Sequence, residues 1–139
     1  MLNVPIREMM ETSVITVTED SPLTVAEEKM RTHGIRHLPV VNANGQLTGL
    51  FTHRDLYRIL PSRLTEKDPV DTSILKLHTL KEVMGKEPET LTPEDPVSRA
   101  VALMQEKKYG CVPILDPQKR VVGILTAIDI LHFAVHFLK

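Results

Sequence analysis

Two quartets with the pattern Thr-x-x-Asp are the residues of this 139-residue chain whose types and spacing could best do chemistry. Thr52 and Asp55 belong to the first, THRD, and Thr126 and Asp129 belong to the second, TAID. A carboxylate can accept hydrogen bonds from two neighbouring hydroxyls of a ligand, and a threonine hydroxyl can add a further contact. The same pattern is also typical of a capping box at the start of a helix. The quartets alone leave both interpretations open.

The quartets belong to a longer internal repeat. When the chain is shifted by 74 positions, residues 4–60 align with residues 78–134 without gaps, and eleven aligned pairs are identical. These pairs are Glu8/Glu82, Met10/Met84, Thr16/Thr90, Thr18/Thr92, Pro22/Pro96, Ala26/Ala100, Met30/Met104, Pro39/Pro113, Gly49/Gly123, Thr52/Thr126 and Asp55/Asp129. Self-similarity at a fixed period indicates a repeat architecture. We therefore interpret residues 1–139 as a single module with repeats at 4–60 and 78–135 and a linker at 61–77.

Each repeat is predicted to have the element order β-α-β-β-α. The stretch VITV (14–17) predicts a strand, and its counterpart PETL predicts a weaker one. Ser21 is the predicted N-cap of the next helix, with Pro22 at its first position. The stretches 37–51 and 111–125 each contain two apolar runs around turn residues and predict β-hairpins. A short helix is predicted after each quartet.

Composition and charge exclude several classes of function. The formal net charge of −1 gives no basic footprint for nucleic acid, and no apolar stretch is long enough to span a membrane. The amino-terminal residues lack a secretory signal, and Cys111 has no cysteine with which to pair, so we expect a cytoplasmic protein. The sequence shows no pairing of nucleophile and base and no metal-ligand cluster, because His132 and His136 lack a third ligand. We therefore expect neither an enzyme nor a metal site.

The chain also resembles a known family. GIRHLPVVNANGQLTGLFTHRDL and YGCVPILDPQKRVVGILTAIDIL resemble the second halves of two CBS motifs, and the pair resembles a Bateman module. The resemblance extends over residues 4–60 and 78–135. It implies an α/β (α+β) fold in which two repeats pack about a pseudo-twofold axis and leave two clefts, and it implies a homodimer. The apolar carboxyl-terminal stretch ILHFAVHFL is the surface that we expect to pair.

By resemblance, the clefts would bind an adenosine compound, namely AMP, ADP, ATP or S-adenosylmethionine, as a regulatory ligand, with no cofactor required. Asp55 with Thr52, and Asp129 with Thr126, would then hold ribose. The base would lie near a larger group of residues: Ile15, Thr16, Ile35, Glu89, Tyr109, Gly110 and Cys111.

The two repeats differ in charge where a phosphate would lie. The first repeat has basic residues that the resemblance assigns to phosphate binding, namely Arg36, His37, His53 and Arg54. The second repeat has Gly110, Cys111, Ala127 and Ile128 at the equivalent positions. An alternative for Arg36 and Arg54 is that they are solvated or paired with glutamates at 27 and 28.

The leading hypothesis is a regulatory module that senses an adenosine compound and signals to an unidentified protein partner. The alternative is a ligand-independent dimerisation or interaction module in which the quartets only cap helices. An enzyme acting on nucleotides is a third, weaker hypothesis.

Overall fold

The structure, a computed structural model, describes residues 4–60 and 73–138, so most of the predicted linker lies outside the described residues. The strands are β1 (Val17–Thr18), β2 (His37–Val41), β3 (Leu47–Thr52), β4 (Gly85–Lys86), β5 (Cys111–Leu115) and β6 (Val121–Thr126). The α-helices are α1 (Leu23–His33), α2 (His53–Ile59), α3 (Leu80–Val83), α4 (Val97–Lys107) and α5 (Ala127–Leu138). Two 3-10 helices span Ile6–Glu8 and Ser73–Leu77. The predicted mixed α/β class is confirmed.

The first repeat has the predicted element order. Strands β1 to β4 form one sheet in that order, with β1 parallel to β2 and β4 antiparallel to β3. The predicted strand VITV was too long, because only Val17 of that stretch pairs, opposite Val40. The first residue of the quartet, Thr52, is the last residue of β3, and α2 begins at the second residue, His53.

The second repeat lacks its first strand. Strands β5 and β6 form an antiparallel hairpin, as predicted. PETL forms only a single parallel bridge, between Leu91 and Ile114, so its prediction as a strand was wrong. The stretch offers one large apolar residue to the core, and Leu91 is the residue of it that is buried.

The start of α1 differs from the prediction, and α4 starts in the same way as α1. Pro22 and Pro96 are the N-caps, and neither gives a side-chain cap bond. Ser21 was wrongly predicted as a cap, because its hydroxyl is 2.6 Å from the Thr18 hydroxyl instead. The backbone amide at the first position of each helix donates to a carbonyl far away in sequence. Leu23 N donates to His78 O at 3.0 Å, and Val97 N donates to Val4 O at 2.8 Å. Such bonds satisfy N–H groups that a helix cannot pair itself.

The chain divides into two compact units that differ from the sequence repeats. The first-repeat unit contains residues 15–44, 48–60 and 73–87, and the second-repeat unit contains residues 4–14, 45–47 and 88–138. Leu75, Leu80 and Met84, which follow the first repeat, are buried in the first unit with Leu38 and Phe51. Ile6, from the start of the first repeat, is buried in the second unit with Val112, Ile114 and Leu125.

A methionine rests on a glycine in the hairpin of each unit. An added Cβ at Gly49 would lie 2.4 Å from the Met84 Sδ, and one at Gly123 would lie 2.5 Å from the Met10 Sδ. A methyl group at either position would overlap the sulfur, so glycine allows this close packing. The identical pairs Met10/Met84 and Gly49/Gly123 of the repeat therefore reflect one contact formed twice.

Candidate functional site

Both quartets form capping boxes. In the first, Thr52 N donates to Asp55 Oδ2 at 3.0 Å, and Asp55 N donates to Thr52 Oγ1 at 3.4 Å. In the second, Thr126 N donates to Asp129 Oδ2 at 2.8 Å, and Asp129 N donates to Thr126 Oγ1 at 3.3 Å. Each threonine hydroxyl also lies close to the same Oδ2, at 3.2 Å and 3.0 Å. The capping interpretation that the sequence left open is therefore realised in both repeats.

The capping boxes engage only one oxygen of each aspartate. Asp129 Oδ1 has no hydrogen-bond or ion-pair partner within residues 4–60 and 73–138. Asp55 Oδ1 lies 3.6 Å from Arg58 Nη1, which is an ion pair beyond hydrogen-bonding distance. Both side chains are half-buried, and Asp55 is 18% exposed. A carboxylate oxygen therefore remains in each repeat that could accept a ligand hydroxyl.

A backbone hydrogen bond joins each quartet to the residue that precedes its hairpin. His53 N donates to Arg36 O at 3.0 Å, and Ala127 N donates to Gly110 O at 3.0 Å. In the second unit, Cys111 also pairs directly with Thr126 across the hairpin. These bonds bring the start of one strand next to the start of the following helix. The arginine before β2 is thereby positioned beside the residues of α2.

Five side chains of the first-repeat unit line an open depression of about 600 Å³: Arg36, His53, Arg54, Tyr57 and Arg58. The rings of His53 and Tyr57 lie 5.0 Å apart and tilted. Within the described residues, the guanidinium groups of Arg36 and Arg54 form no ion pair, and Glu27 pairs with Arg31 instead. The pairing of Arg36 or Arg54 with the glutamates at 27 and 28 is therefore wrong, whereas the other half of that alternative holds, since both arginines are exposed to solvent. The arginines give this depression a positive charge.

His37 differs from the other basic residues predicted to bind phosphate. It is half-buried and does not line the depression. Burial lowers the pKa of His37 below its ordinary value, and the charges of Arg36 and then His53 lower that pKa further. Its imidazole is therefore neutral near pH 7 and would not attract a phosphate by charge.

The equivalent surface of the second-repeat unit is largely apolar. Alignment places Gly110, Ala127, Ile128, Leu131 and His132 where the first repeat has the residues that line the depression. Ile128 is 57% exposed and Leu131 is 59% exposed. The repeats thus have matching backbones around the quartet but opposite surface character.

The residues predicted near the base are divided between the two units. Ile15 and Ile35 are half-buried against the core of the first-repeat unit. The carbonyl of Thr16 accepts a hydrogen bond from Lys29 Nζ at 2.6 Å. In the second-repeat unit, Glu89, Tyr109 and Gly110 are exposed. Cys111 is buried, and desolvation raises the pKa of its thiol to about 12, so it contributes an uncharged apolar wall.

Tyr57 and Arg58 were not predicted as site residues. They follow His53 and Arg54 by four positions on α2, and residues four apart share one face of a helix. Extending the basic pair HR along the predicted helix would therefore have found them.

The described part of the chain contains neither a metal-ligand cluster nor a membrane-spanning helix. No group of three or more His, Cys, Asp or Glu residues in it could hold a metal ion. No helix within it is long and apolar enough to cross a membrane.

Comparisons with known proteins identify both repeats. The model of the CBS domain matches residues 6–62 and again residues 80–136. A CBS domain-containing protein of Dictyostelium discoideum is 32% identical over 139 residues, which is 99% of this chain and 96% of that protein. The homoserine O-acetyltransferase of Methanosalsum zhilinae is 27% identical over 92% of this chain, but the match spans only 23% of that enzyme.

Solved structures share the fold. AcuB of Vibrio cholerae, a protein ascribed to acetoin utilization, aligns with a TM-score of 0.80 and 28% identity, covering 99% of this chain and 94% of that one. The CBS domain pair of protein MJ0100, in complex with 5′-methylthioadenosine and S-adenosyl-L-methionine, aligns with a TM-score of 0.77 and 25% identity. That alignment covers 94% of this chain and 98% of the other.

Proposed function

The chain belongs to the CBS domain family, with two copies of the domain in tandem, and from this premise we propose that it is a regulatory module that binds an adenosine compound. The candidate ligands are AMP, ADP, ATP and S-adenosylmethionine. Ribose hydroxyls would be held by Asp55 with Thr52 and by Asp129 with Thr126. Binding would alter how the module acts on a protein partner.

One observation carries the proposal: a carboxylate with an available oxygen adjoins a depression lined by three arginines. A nucleotide presents a pair of ribose hydroxyls and a phosphate a few ångströms apart. The carboxylate oxygen can accept from the hydroxyls, and a guanidinium can bind phosphate through two parallel hydrogen bonds. The relative MJ0100, whose CBS pair was solved with two adenosyl compounds, supports the same ligand class.

The two repeats are proposed to differ in ligand. The first has Arg36, Arg54 and Arg58 around its depression and should favour phosphorylated compounds. The second has Ala127 and Ile128 at equivalent positions and should be empty, weak or selective for a less anionic adenosyl compound. Arg36→Ala should remove much of the preference for AMP over adenosine. Added salt should also reduce this preference, because it screens the Coulomb attraction between the phosphate and the guanidinium groups.

We also propose that two copies associate through α5. Four large apolar side chains recur on one face of this helix at spacings of three and four, and all are exposed: Ile128, Leu131, Val135 and Leu138. Burying such a stripe against a second copy removes apolar surface from water. Light scattering at micromolar concentration should give twice the chain mass of 15.7 kDa, and Val135→Glu should reduce it. A monomeric mass for the unmodified protein would contradict this association.

Titration calorimetry with AMP, ATP, S-adenosylmethionine and NAD tests the proposed function. Saturable binding of at least one adenosine compound is expected. If none of the four compounds binds, the result would favour the alternative, a ligand-independent interaction module in which the quartets serve only as helix caps. Turnover of ATP by the pure protein would instead support the third hypothesis, an enzyme.

The activity of the acetyltransferase relatives does not extend to this chain by similarity. The match to them lies in a segment that is 23% of their length. The chain therefore resembles one part of those enzymes.

A further inference from the structure

Arg58 contacts the one oxygen of Asp55 that the capping box leaves available. It lies on α2, three residues after Asp55, and its Nη1 is 3.6 Å from Asp55 Oδ1. The Arg58 side chain is 69% exposed, and no hydrogen bond accompanies the pair. Exposed pairs of this kind contribute little stability. The contact is therefore easily exchanged for a better one.

The geometry places Arg58 in competition with a ribose for the same atom. Asp55 Oδ2 already accepts from Thr52 N and lies beside Thr52 Oγ1, so it is committed to the helix start. A ribose that binds Asp55 must use Oδ1. For this it must displace the guanidinium or share the oxygen with it.

Arg58 also lines the depression together with Arg36 and Arg54. Three guanidinium groups around one open space repel one another. A phosphate in the depression would relieve that repulsion. It would also offer Arg58 a doubly charged partner whose geometry matches the guanidinium fork.

We propose that Arg58 is a specificity-determining residue that exchanges partners, leaving Asp55 for the phosphate of an incoming nucleotide. This inference rests on the proposed function and deepens it. In the free protein, Arg58 opposes the binding of an unphosphorylated nucleoside by holding Asp55 Oδ1. A nucleotide supplies a new partner for the displaced arginine, so the same residue favours it. Arg58 thus favours a nucleotide over a nucleoside in two ways: it competes with a nucleoside for Asp55, and it binds the phosphate of a nucleotide.

The substitution Arg58→Gln should change the two affinities in opposite directions. Calorimetry at low salt should show adenosine binding about twofold to fivefold more tightly, since a weak competing ion pair is removed. AMP should bind about tenfold more weakly, because a charged hydrogen-bond partner of its phosphate is lost. Arg36→Gln should weaken AMP binding and leave adenosine unchanged, because Arg36 forms no ion pair with Asp55.

Two matched controls separate this effect from general changes in charge. Arg31→Gln removes an arginine that is similarly exposed and paired with Glu27 on another helix, and it should change neither affinity. His132→Gln alters the residue equivalent to Arg58 in the second repeat and should leave the AMP-to-adenosine ratio unchanged. If Arg58→Gln weakens both ligands, or leaves adenosine unchanged, the exchange is wrong.

Inorganic tripolyphosphate distinguishes failure of this inference from failure of the proposed function. If no nucleoside or nucleotide binds the unmodified protein, the proposed function falls. The partner exchange is then wrong as well. Tight binding of tripolyphosphate that Arg58→Gln weakens about tenfold would still support an anion-binding role for Arg58. Equal tripolyphosphate affinity in the two proteins would overturn that role as well.

Discussion

Asp55 and Asp129 each divide their two carboxylate oxygens between different tasks. Oδ2 accepts from the backbone of the preceding threonine and fixes the start of a helix. Oδ1 takes no part in the cap, so it can accept a hydrogen bond from a ligand while the cap stays intact. The capping and ligand-binding interpretations of the quartet are therefore compatible within a single side chain.

Replacing Asp55 by asparagine or by alanine should separate these tasks. Asparagine keeps a carbonyl oxygen that can accept from Thr52 N, so Asp55→Asn should leave the melting temperature close to that of the unmodified protein. Asp55→Ala removes the cap and should cost about 1 kcal/mol of unfolding free energy. Both should weaken nucleotide binding, by about 1.5–3 kcal/mol, because the charged acceptor is lost. Nucleotide binding by the asparagine variant at full affinity would contradict the ribose contact.

His37 should make stability depend on pH. Its pKa in the folded protein lies below the ordinary value of 6.5, chiefly because burial disfavours the charged imidazole, with smaller contributions from Arg36 and His53. Between the two pKa values, the imidazole therefore binds a proton in the unfolded chain but not in the folded protein. Stability should be fully present above about pH 6.5 and decline as the pH falls toward the lowered pKa. Thermal melts between pH 7.5 and 5.5 should show a smaller decline for His37→Gln than for the unmodified protein.

Among the elements, the hairpins and helices were predictable because their apolar periodicity and turn residues are local. The starts of α1 and α4 were not, because the carbonyls that satisfy their amides come from His78 and Val4, far away in sequence. These carbonyls replace the side-chain acceptor of a serine or aspartate cap, which a proline at the N-cap cannot supply. Tyr57 and Arg58 could have been found by extending the helical face of His53 and Arg54. The spacing of three residues along the same helix also predicts that Arg58 lies beside Asp55.

The close contacts of the hairpin glycines predict unequal effects of the same substitution. A Cβ at Gly49 would meet Met84 Sδ at 2.4 Å and also the backbone oxygen of Gly85 at 2.8 Å. A Cβ at Gly123 would meet Met10 Sδ at 2.5 Å, but the nearest backbone oxygen is 3.2 Å away. A side chain can move aside more easily than a paired strand. Gly49→Ala should therefore destabilise the protein by about 1–3 kcal/mol, and Gly123→Ala by less.

Chemical denaturation measures this difference, and the methionines provide the control. Gly49→Ala should cost less stability in a Met84→Ala background than in the unmodified protein, since the sulfur that overlaps the new methyl group is then absent. Equal losses for the two glycine substitutions would mean that the backbone contact at Gly49 has no energetic weight.

At the scale of the whole molecule, the folding units cut across the duplication. The first-repeat unit lacks residues 4–14 of its own repeat and includes buried side chains from beyond it, namely Leu75, Leu80 and Met84. The second-repeat unit includes Ile6, which is fully buried there. The boundaries 4–60 and 78–135 describe how the sequence repeats. The cores follow a different division.

Two fragments of similar length should distinguish these divisions. A fragment of residues 15–87 contains every buried residue of the first core, so we predict cooperative thermal unfolding by circular dichroism. A fragment of residues 1–60, which is one sequence repeat with its leading residues, lacks Leu75, Leu80 and Met84 and should show no cooperative transition. A cooperative transition in the shorter fragment alone would mean that the sequence repeat is the folding unit.

The exchange of leading segments between the two cores has a consequence for inheritance. Deleting one copy of the duplicated coding sequence would also open the core of the remaining unit, because it would remove Ile6 from the second core or Leu80 and Met84 from the first. The copies can therefore diverge in surface charge, as the depression beside α2 shows, yet neither can be lost alone. Recombination should therefore transfer the two repeats together.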